Sequence, residues 1–383
     1  MKIILHIGQS KTGTSAIQGF LTRKRKELQR HGVLYPVARV GGFEVEMGSH
    51  NTVADALAGK VEFPGLSADD YFTQFFNEAR RLDADVMILS GEHFIGGQPR
   101  LWDLADHQKY QEIYSEKIIN LASYLAGHDV SIVVYLRPQV DWLSSTIAQN
   151  IKISRLASER PIYESDRQFF EMFKPCLRYC ELMDLWNDIV KPQSITAVPY
   201  VRSNLVSNNS VSDFLFRTNL SHIKFSSSDV VRSVNVSLSR EYVEVKKLIN
   251  KKARTKDSER IVIECLKRLS SQSRLGTTYK LSADVVRDLE GFVAADNARL
   301  SAKYMVDAAP FIARVGYRGE ELPDLSEGEI SRAMMRFERE YGRFSTWLLL
   351  GQNVFKSFLR RRAPSVHAGL HHIKRYLGRL RTA

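Results

Sequence analysis

Lys11, Thr12, Gly13, Thr14 and Ser15 place an ammonium, three hydroxyls and a glycine within five consecutive residues. Side chains of this kind, packed this closely, can hold an anion. The apolar run before them (Ile3, Ile4, Leu5, Ile7) reads as a short buried strand that breaks at Gly8, and a helical pattern restarts from Thr14 through Leu21. A strand, a tight turn and a helix N-terminus leave backbone N–H groups pointing outward, where the helix dipole favours negative charge. The spacing predicts a phosphate-like ligand at this turn; the bland alternative is an ordinary strand-to-helix turn with an exposed lysine.

The position of the lysine narrows the ligand. Gly8 and Gly13 have the separation found in nucleotide-hydrolysing loops, G-x-x-x-x-G-K-[ST], where lysine directly precedes the magnesium-binding hydroxyl. Here Lys11 precedes the second glycine and Thr14 follows it. The lysine therefore sits on the turn itself, which argues against an ATPase or a magnesium-dependent kinase.

These residues need a scaffold. Apolar runs at 33–36, 85–90, 130–136 and, more weakly, 194–200 read as further strands, with helices over about 68–82 and 110–126. Tyr71, Phe72, Phe75 and Phe76 supply the buried stripe of the first of those helices. Residues 37–66 read as irregular or partly helical, and the pattern beyond 205 is mostly helical, with polar loops at 203–212 and 221–235. Strands alternating with helices predict an α/β fold, a parallel sheet with helices on both faces, and ligands of such sheets bind beyond the carboxyl ends of the strands. Arg137 follows the 130–136 run at that edge and leads into a helix carrying Asp141, Trp142, Ser144 and Ser145.

The segments HIGQSKTGTSAIQ, GVLYP, VVYLRPQVDWLSS and NVSLSREYVEVKKLIN (235–250) resemble bacterial members of the sulfotransferase family that uses 3′-phosphoadenosine-5′-phosphosulfate. The Trp186 helix, Val198-Pro199-Tyr200 and Asp213-Phe214-Leu215 fit the same pattern, so the resemblance covers roughly residues 1–305. It implies a three-layer, P-loop-like sheet and transfer of a sulfuryl group without a metal. Lys11, Thr12, Gly13, Thr14 and Ser15 would hold the 5′-phosphosulfate, with Lys11 neutralising the leaving oxygen. Arg137 and a serine eight residues on, Ser145, would grip the 3′-phosphate, with Ser144 the alternative if the register shifts. Arg232 and Ser237 lie in the segment that closes over the nucleotide in this family, although the Arg-Lys-Gly triplet of its human-type members is missing.

Sulfuryl transfer to a hydroxyl or amine needs a general base within hydrogen-bond reach. Glu92, just past the 85–90 strand in Ser90-Gly91-Glu92-His93-Phe94, leads; His93 beside it and His50 are the other candidates. Each has a structural reading as well, a helix N-terminal carboxylate for Glu92 and a hydrogen-bonded core residue for the histidines. By family analogy the acceptor is a carbohydrate or glycolipid.

The chain has 383 residues, 44% of them apolar and 10% aromatic, enough for one large α/β domain with additions. No eighteen-residue apolar run, no signal-peptide layout and only Cys176, Cys180 and Cys265, without CxxC spacing, point to the cytoplasm. Cys176 and Cys180 read as buried thiols, four apart as on one helix. Of the net charge of +12, residues 351–383 carry +8 and no acid, so the body is nearly balanced and nucleic acid is not implied. In that tail Val366, Leu370, Ile373, Leu377 and Leu380 form one helical stripe among basic residues. Such a helix fits an anionic membrane surface, or packs on the chain's own body. The expected organisation is an α/β domain over 1–305, with the donor motifs in 1–150 and a helical cap and acceptor side in 205–305, then a helical extension over 306–350 and the basic tail. The alternatives are a P-loop kinase, or a non-catalytic module that binds phosphorylated ligands and is tethered by the tail.

Overall fold

The structure is a computed structural model that describes residues 1–45, 48–59, 66–95, 107–153, 165–223, 225, 237–250, 256–306, 310–315 and 322–342. Chain order is β1 (Lys2–His6), α1 (Thr14–Arg23), α2 (Arg25–Gln29), β2 (Val33–Leu34), β3 (Arg39–Val40), β4 (Phe43–Glu44), α3 (Asn51–Leu57), α4 (Ala68–Arg81), β5 (Val86–Ser90), α5 (His107–Leu125) and β6 (Asp129–Leu136). Then come α6 (Gln139–Ile153), α7 (Asp166–Phe173), α8 (Tyr179–Val190), β7 (Ser194–Pro199), α9 (Ser210–Arg217), α10 (Arg240–Asn250), α11 (Lys256–Ser270) and α12 (Ala283–Lys303).

Period-two alternation along the strands decides what each face of the sheet buries. Ile3, Leu5 and Ile7 join Met87, Leu89, Ile132, Val134 and Leu136 on one face, against side chains from α3, α4, α5, α8 and α12. Ile4, Ile88, Val133 and Tyr135 point to the other, where Ile17, Phe20, Leu21, Leu28 and Phe214 cover them. Both faces are apolar because both are covered, as a parallel sheet requires. The five strands run parallel in the order β2-β5-β1-β6-β7. The chain leaves β1 toward one side, returns through β5, and continues on the other side as β6. The carboxyl ends of β1 and β6 therefore flank the switch point where ligands of open α/β sheets bind.

The helix expected after β1 is interrupted at Lys24, where ψ rises to 8° and α2 begins anew. The described residues of 37–66 hold more regular structure than their composition implies. Gly41-Gly42, with φ of 57° and 85°, closes a two-residue hairpin between β3 and β4, the geometry that favours glycine pairs. Ser67 and Asp70 form a capping box at the start of α4, whose Tyr71, Phe72 and Phe75 are buried while Phe76 is half-buried. Cys176 closes a short 3₁₀ turn and bonds the Tyr110 hydroxyl at 3.2 Å, whereas Cys180 lies in α8; the two do not share a helix. Cys180 and Cys265 are buried, Cys176 only half so, and all three are free thiols.

Two compact units divide the chain. The first takes the described residues of Met1–Ile147, Tyr163–Asn235 and Thr278–Leu322, and the second those of Ala148–Ile162, Val236–Thr277 and Pro323–Ala383. The first holds the sheet. In the second, α10 and α11 are joined by a buried ion pair, Lys246 to Glu259 at 2.7 Å, and Arg240 donates to the Pro323 carbonyl at 2.6 Å. The basic tail lies outside the described residues.

Candidate anion-binding site

The turn after β1 starts as a continuation of the sheet. Tyr135 N–H donates to the Gly8 carbonyl and Gln9 N–H to the Tyr135 carbonyl, both at 2.9 Å, so the turn follows β6 to its end. Gln9 is buried and locks it there: its side-chain amide donates to the Tyr179 hydroxyl at 2.9 Å and its carbonyl accepts from Arg137 N–H at 3.3 Å. Tyr179 in turn donates to the Arg137 carbonyl at 3.1 Å. Burial holds this phenol well above its ordinary pKa, so it stays a donor.

Lys11 is half-buried and lies in the left-handed region at φ 68°. Thr12 differs from its expected role: it is buried and donates its hydroxyl proton to the Gln9 carbonyl at 2.5 Å, bracing the turn from within instead of facing a phosphate. Gly13 opens α1 at φ 80°. Its carbonyl takes the N–H groups of Ala16 and Ile17, at 2.9 and 3.3 Å. Among the described residues no backbone carbonyl accepts from Thr14 or Ser15 N–H. Those two groups, with the exposed Ser15 hydroxyl, are the donors left for an anion.

Gly13 also meets the start of α9. A Cβ built on it would lie 2.7 Å from Ser210 Oγ and 3.0 Å from the Tyr200 hydroxyl. Ser210, buried at the first position of α9, carried no signal in the sequence beyond Asn209 before it, whose side chain caps Val211 N–H at 2.8 Å.

Arg137 sits past the end of β6, half-buried. Among the described residues its guanidinium makes no hydrogen bond or ion pair, and burial lowers its pKa against the opposing pull of Asp141 and Tyr200. A guanidinium partly withdrawn from water and left without a bidentate partner is prepared for an anionic ligand. Ser144 is buried with its hydroxyl donated to the Tyr279 carbonyl at 2.8 Å, while Ser145 is half-buried and its hydroxyl makes no bond among the described residues. Of the two serines, Ser145 is the one with a hydroxyl to offer.

The segment after β5 packs against the same turn. Gly91 N–H donates to the His6 carbonyl at 3.0 Å and Ile95 N–H to the Ile7 carbonyl at 3.1 Å. Glu92, half-buried, accepts a short hydrogen bond from the Thr14 hydroxyl, which ties it to the first turn of α1. His93 Nδ1 lies 2.9 Å from Asp55 on α3. His50 takes a different place. It is buried, its Nδ1 accepts Ser90 N–H at 2.9 Å and its Nε2 donates to the Pro36 carbonyl at 3.1 Å, with Tyr35 and Phe75 edge-on to the ring. Burial lowers its pKa to about 4. Both ring nitrogens serve the backbone, so neither is available to a substrate.

Lys11, Glu92, His93, Arg137 and Ser145 all belong to the first unit, around the carboxyl edge of β1, β5 and β6. Ser237 is exposed and belongs to the second unit, and Arg232 lies outside the described residues. Fold and site together define an α/β protein with a candidate anion site at the switch point of a five-stranded parallel sheet. Comparison with protein-family models, with curated proteins and with solved structures finds no match.

Proposed function

We propose that the chain is a sulfotransferase of the P-loop-like α/β class, moving a sulfuryl group from 3′-phosphoadenosine-5′-phosphosulfate to a hydroxyl, or an amine, of a carbohydrate or glycolipid acceptor. One observation carries the reading. A lysine on the turn and a guanidinium that makes no hydrogen bond or ion pair among the described residues stand at the ends of neighbouring strands β1 and β6. A nucleotide phosphorylated at both its 5′ and 3′ ends presents two separate anions to such a pair. The residues present fit that donor: Thr14 and Ser15 N–H groups and Lys11 for the phosphosulfate, Arg137 and Ser145 for the 3′-phosphate.

Chemistry of this kind rests on positioning and on charge. The 5′-phosphate gains charge as its oxygen parts from sulfur; Lys11 and the helix N-terminus offset it. The acceptor's proton goes to a base in the Glu92–His93 segment. Calorimetric titration tests the donor assignment. The bisphosphate product, 3′,5′-adenosine bisphosphate, is expected to bind without magnesium and more tightly than ATP with magnesium, and Lys11→Ala to weaken it about tenfold or more, the loss of one charge-assisted bond. Preferential binding of magnesium-ATP would overturn the reading in favour of a kinase.

A further inference from the structure

The segment that follows β5 carries its two polar side chains to different places, and only one of them is mounted as a base. Glu92 accepts the Thr14 hydroxyl and so holds the first turn of the phosphate-binding helix. His93 is gripped at three points. Its N–H donates to Asn51 Oδ1 at 3.1 Å, its carbonyl accepts from Lys117 Nζ at 2.8 Å, and its ring Nδ1 meets Asp55 Oδ1 at 2.9 Å. Asn51 and Asp55 lie four apart on α3, hence on one face of it. The helix thus seizes the backbone and the ring of one histidine with successive turns.

The side chain of Asp55 is 1% exposed and that of His93 31%. An imidazole whose Nδ1–H is donated to a buried carboxylate keeps an unprotonated Nε2, and among the described residues that Nε2 makes no hydrogen bond. We propose that His93 Nε2 is the general base of the transfer, and that Asp55 is a positioning residue that fixes the Nδ1–H tautomer and stabilises the imidazolium formed when Nε2 takes a proton. This rests on the sulfotransferase reading. In the step, the acceptor oxygen attacks sulfur and the S–O bond to the 5′-phosphate breaks. Its electron pair stays on the phosphate oxygen, and the acceptor proton passes to Nε2 and then to water. The charged and titratable groups around the ring are Asp55 from α3, Lys117 from α5 and Glu92 beside it in the chain, with Cys176 and Tyr110 beyond Lys117. Lys117 donates to the His93 carbonyl in either protonation state, so the backbone anchor does not depend on pH near neutrality.

The arrangement resembles in its logic a carboxylate–imidazole pair of a hydrolase, where the acid orients and the ring moves the proton. A histidine-labelled full chain, with ¹⁵N two-bond spectra assigned through His93→Asn, reports the tautomer directly. The Nδ1–H form is expected in the native protein, and Asp55→Asn is expected to shift the populations toward Nε2–H. Sulfate release from radiolabelled donor, with water as acceptor, is expected to fall about 100-fold or more in His93→Asn. A native Nε2–H tautomer, or a rate that His93→Asn leaves intact, would overturn the proposal. Binding of 3′,5′-adenosine bisphosphate, measured alongside, separates the two levels: its absence refutes the donor assignment and leaves the tautomer of His93 unchanged.

Discussion

Replacing Gly13 by alanine should strike the turn and its supports together. The residue sits at φ 80°, where an L side chain costs about 1 kcal/mol or somewhat more. Its new Cβ would lie 2.7 Å from Ser210 Oγ, 3.0 Å from Ser210 Cβ and 3.0 Å from the Tyr200 hydroxyl. The tyrosine hydroxyl ends a long side chain and can swing, but Ser210 Cβ is set by the backbone of α9. Overpacking against a fixed neighbour adds about 1–3 kcal/mol, so the substitution is expected to destabilise the first unit by roughly 2–4 kcal/mol in all. Urea unfolding followed through the fluorescence of Trp186, fully buried in that unit, reads the loss as a midpoint lower by about 1–2 M. Adding Ser210→Gly removes both the Oγ and the Cβ contact, and should restore the steric share while leaving the conformational one. A midpoint for Gly13→Ala within about 0.2 M of the native protein would refute the close approach. So would a double variant that regains nothing over the single one.

Three further outcomes are expected. Arg137→Ala should weaken 3′,5′-adenosine bisphosphate by about 1.5–3 kcal/mol in calorimetric titration, while Arg137→Lys keeps the charge but loses the fork and recovers only part; equal affinity in all three proteins would remove Arg137 from the site. Burial, opposed by Asp55 and Cys176, brings Lys117 from 10.5 down to about 7. Between those values the unfolded chain holds a proton that the folded one lacks, so its contribution makes stability rise with pH there, and Lys117→Met should flatten that rise in urea midpoints taken at pH 7 and pH 9. Burial also lowers His50 to about 4 and His6 to about 3 from 6.5. Unfolded histidines take up protons below about pH 6.5 that the folded ones refuse until these lower values, so their stabilising contribution is lost as pH falls from 6.5 toward 4, and a urea midpoint lower at pH 5 than at pH 7 is expected.

Much of this architecture is legible in the chain, and the residues that escape it share a cause. β1, β5 and β6 are continuous apolar runs, and a covered parallel sheet makes such runs obligatory. The turn between β1 and α1 declares itself through Gly13 and its hydroxyl neighbours, because local geometry demands those residue types. Gln9 gives no such signal. It reads as a polar loop residue, yet it is 4% exposed and bonds Tyr179, 170 positions away. Asp55 carries no signal in the sequence; only its contact with His93, 38 positions on, makes it a buried partner of a ring. His50 and His93 both read in sequence as candidate bases, and separate only when the backbone of Pro36 and Ser90 claims both nitrogens of the first. Pattern reveals elements; tertiary contact decides what each polar residue does.

The left-handed backbone of Lys11, at φ 68°, sets conformational preference against chemistry at a single position. Glycine or asparagine would occupy that conformation more comfortably than lysine does. A mutant library screened for thermal survival alone would therefore tend to drift toward glycine at position 11, and its hardiest members would have discarded the ammonium. Under the proposed function, stability and ligand capture would rank the same variants in opposite orders. A thermostability campaign on this protein would have to hold that one residue constant, since selection for a harder fold offers no protection to the charge at its turn.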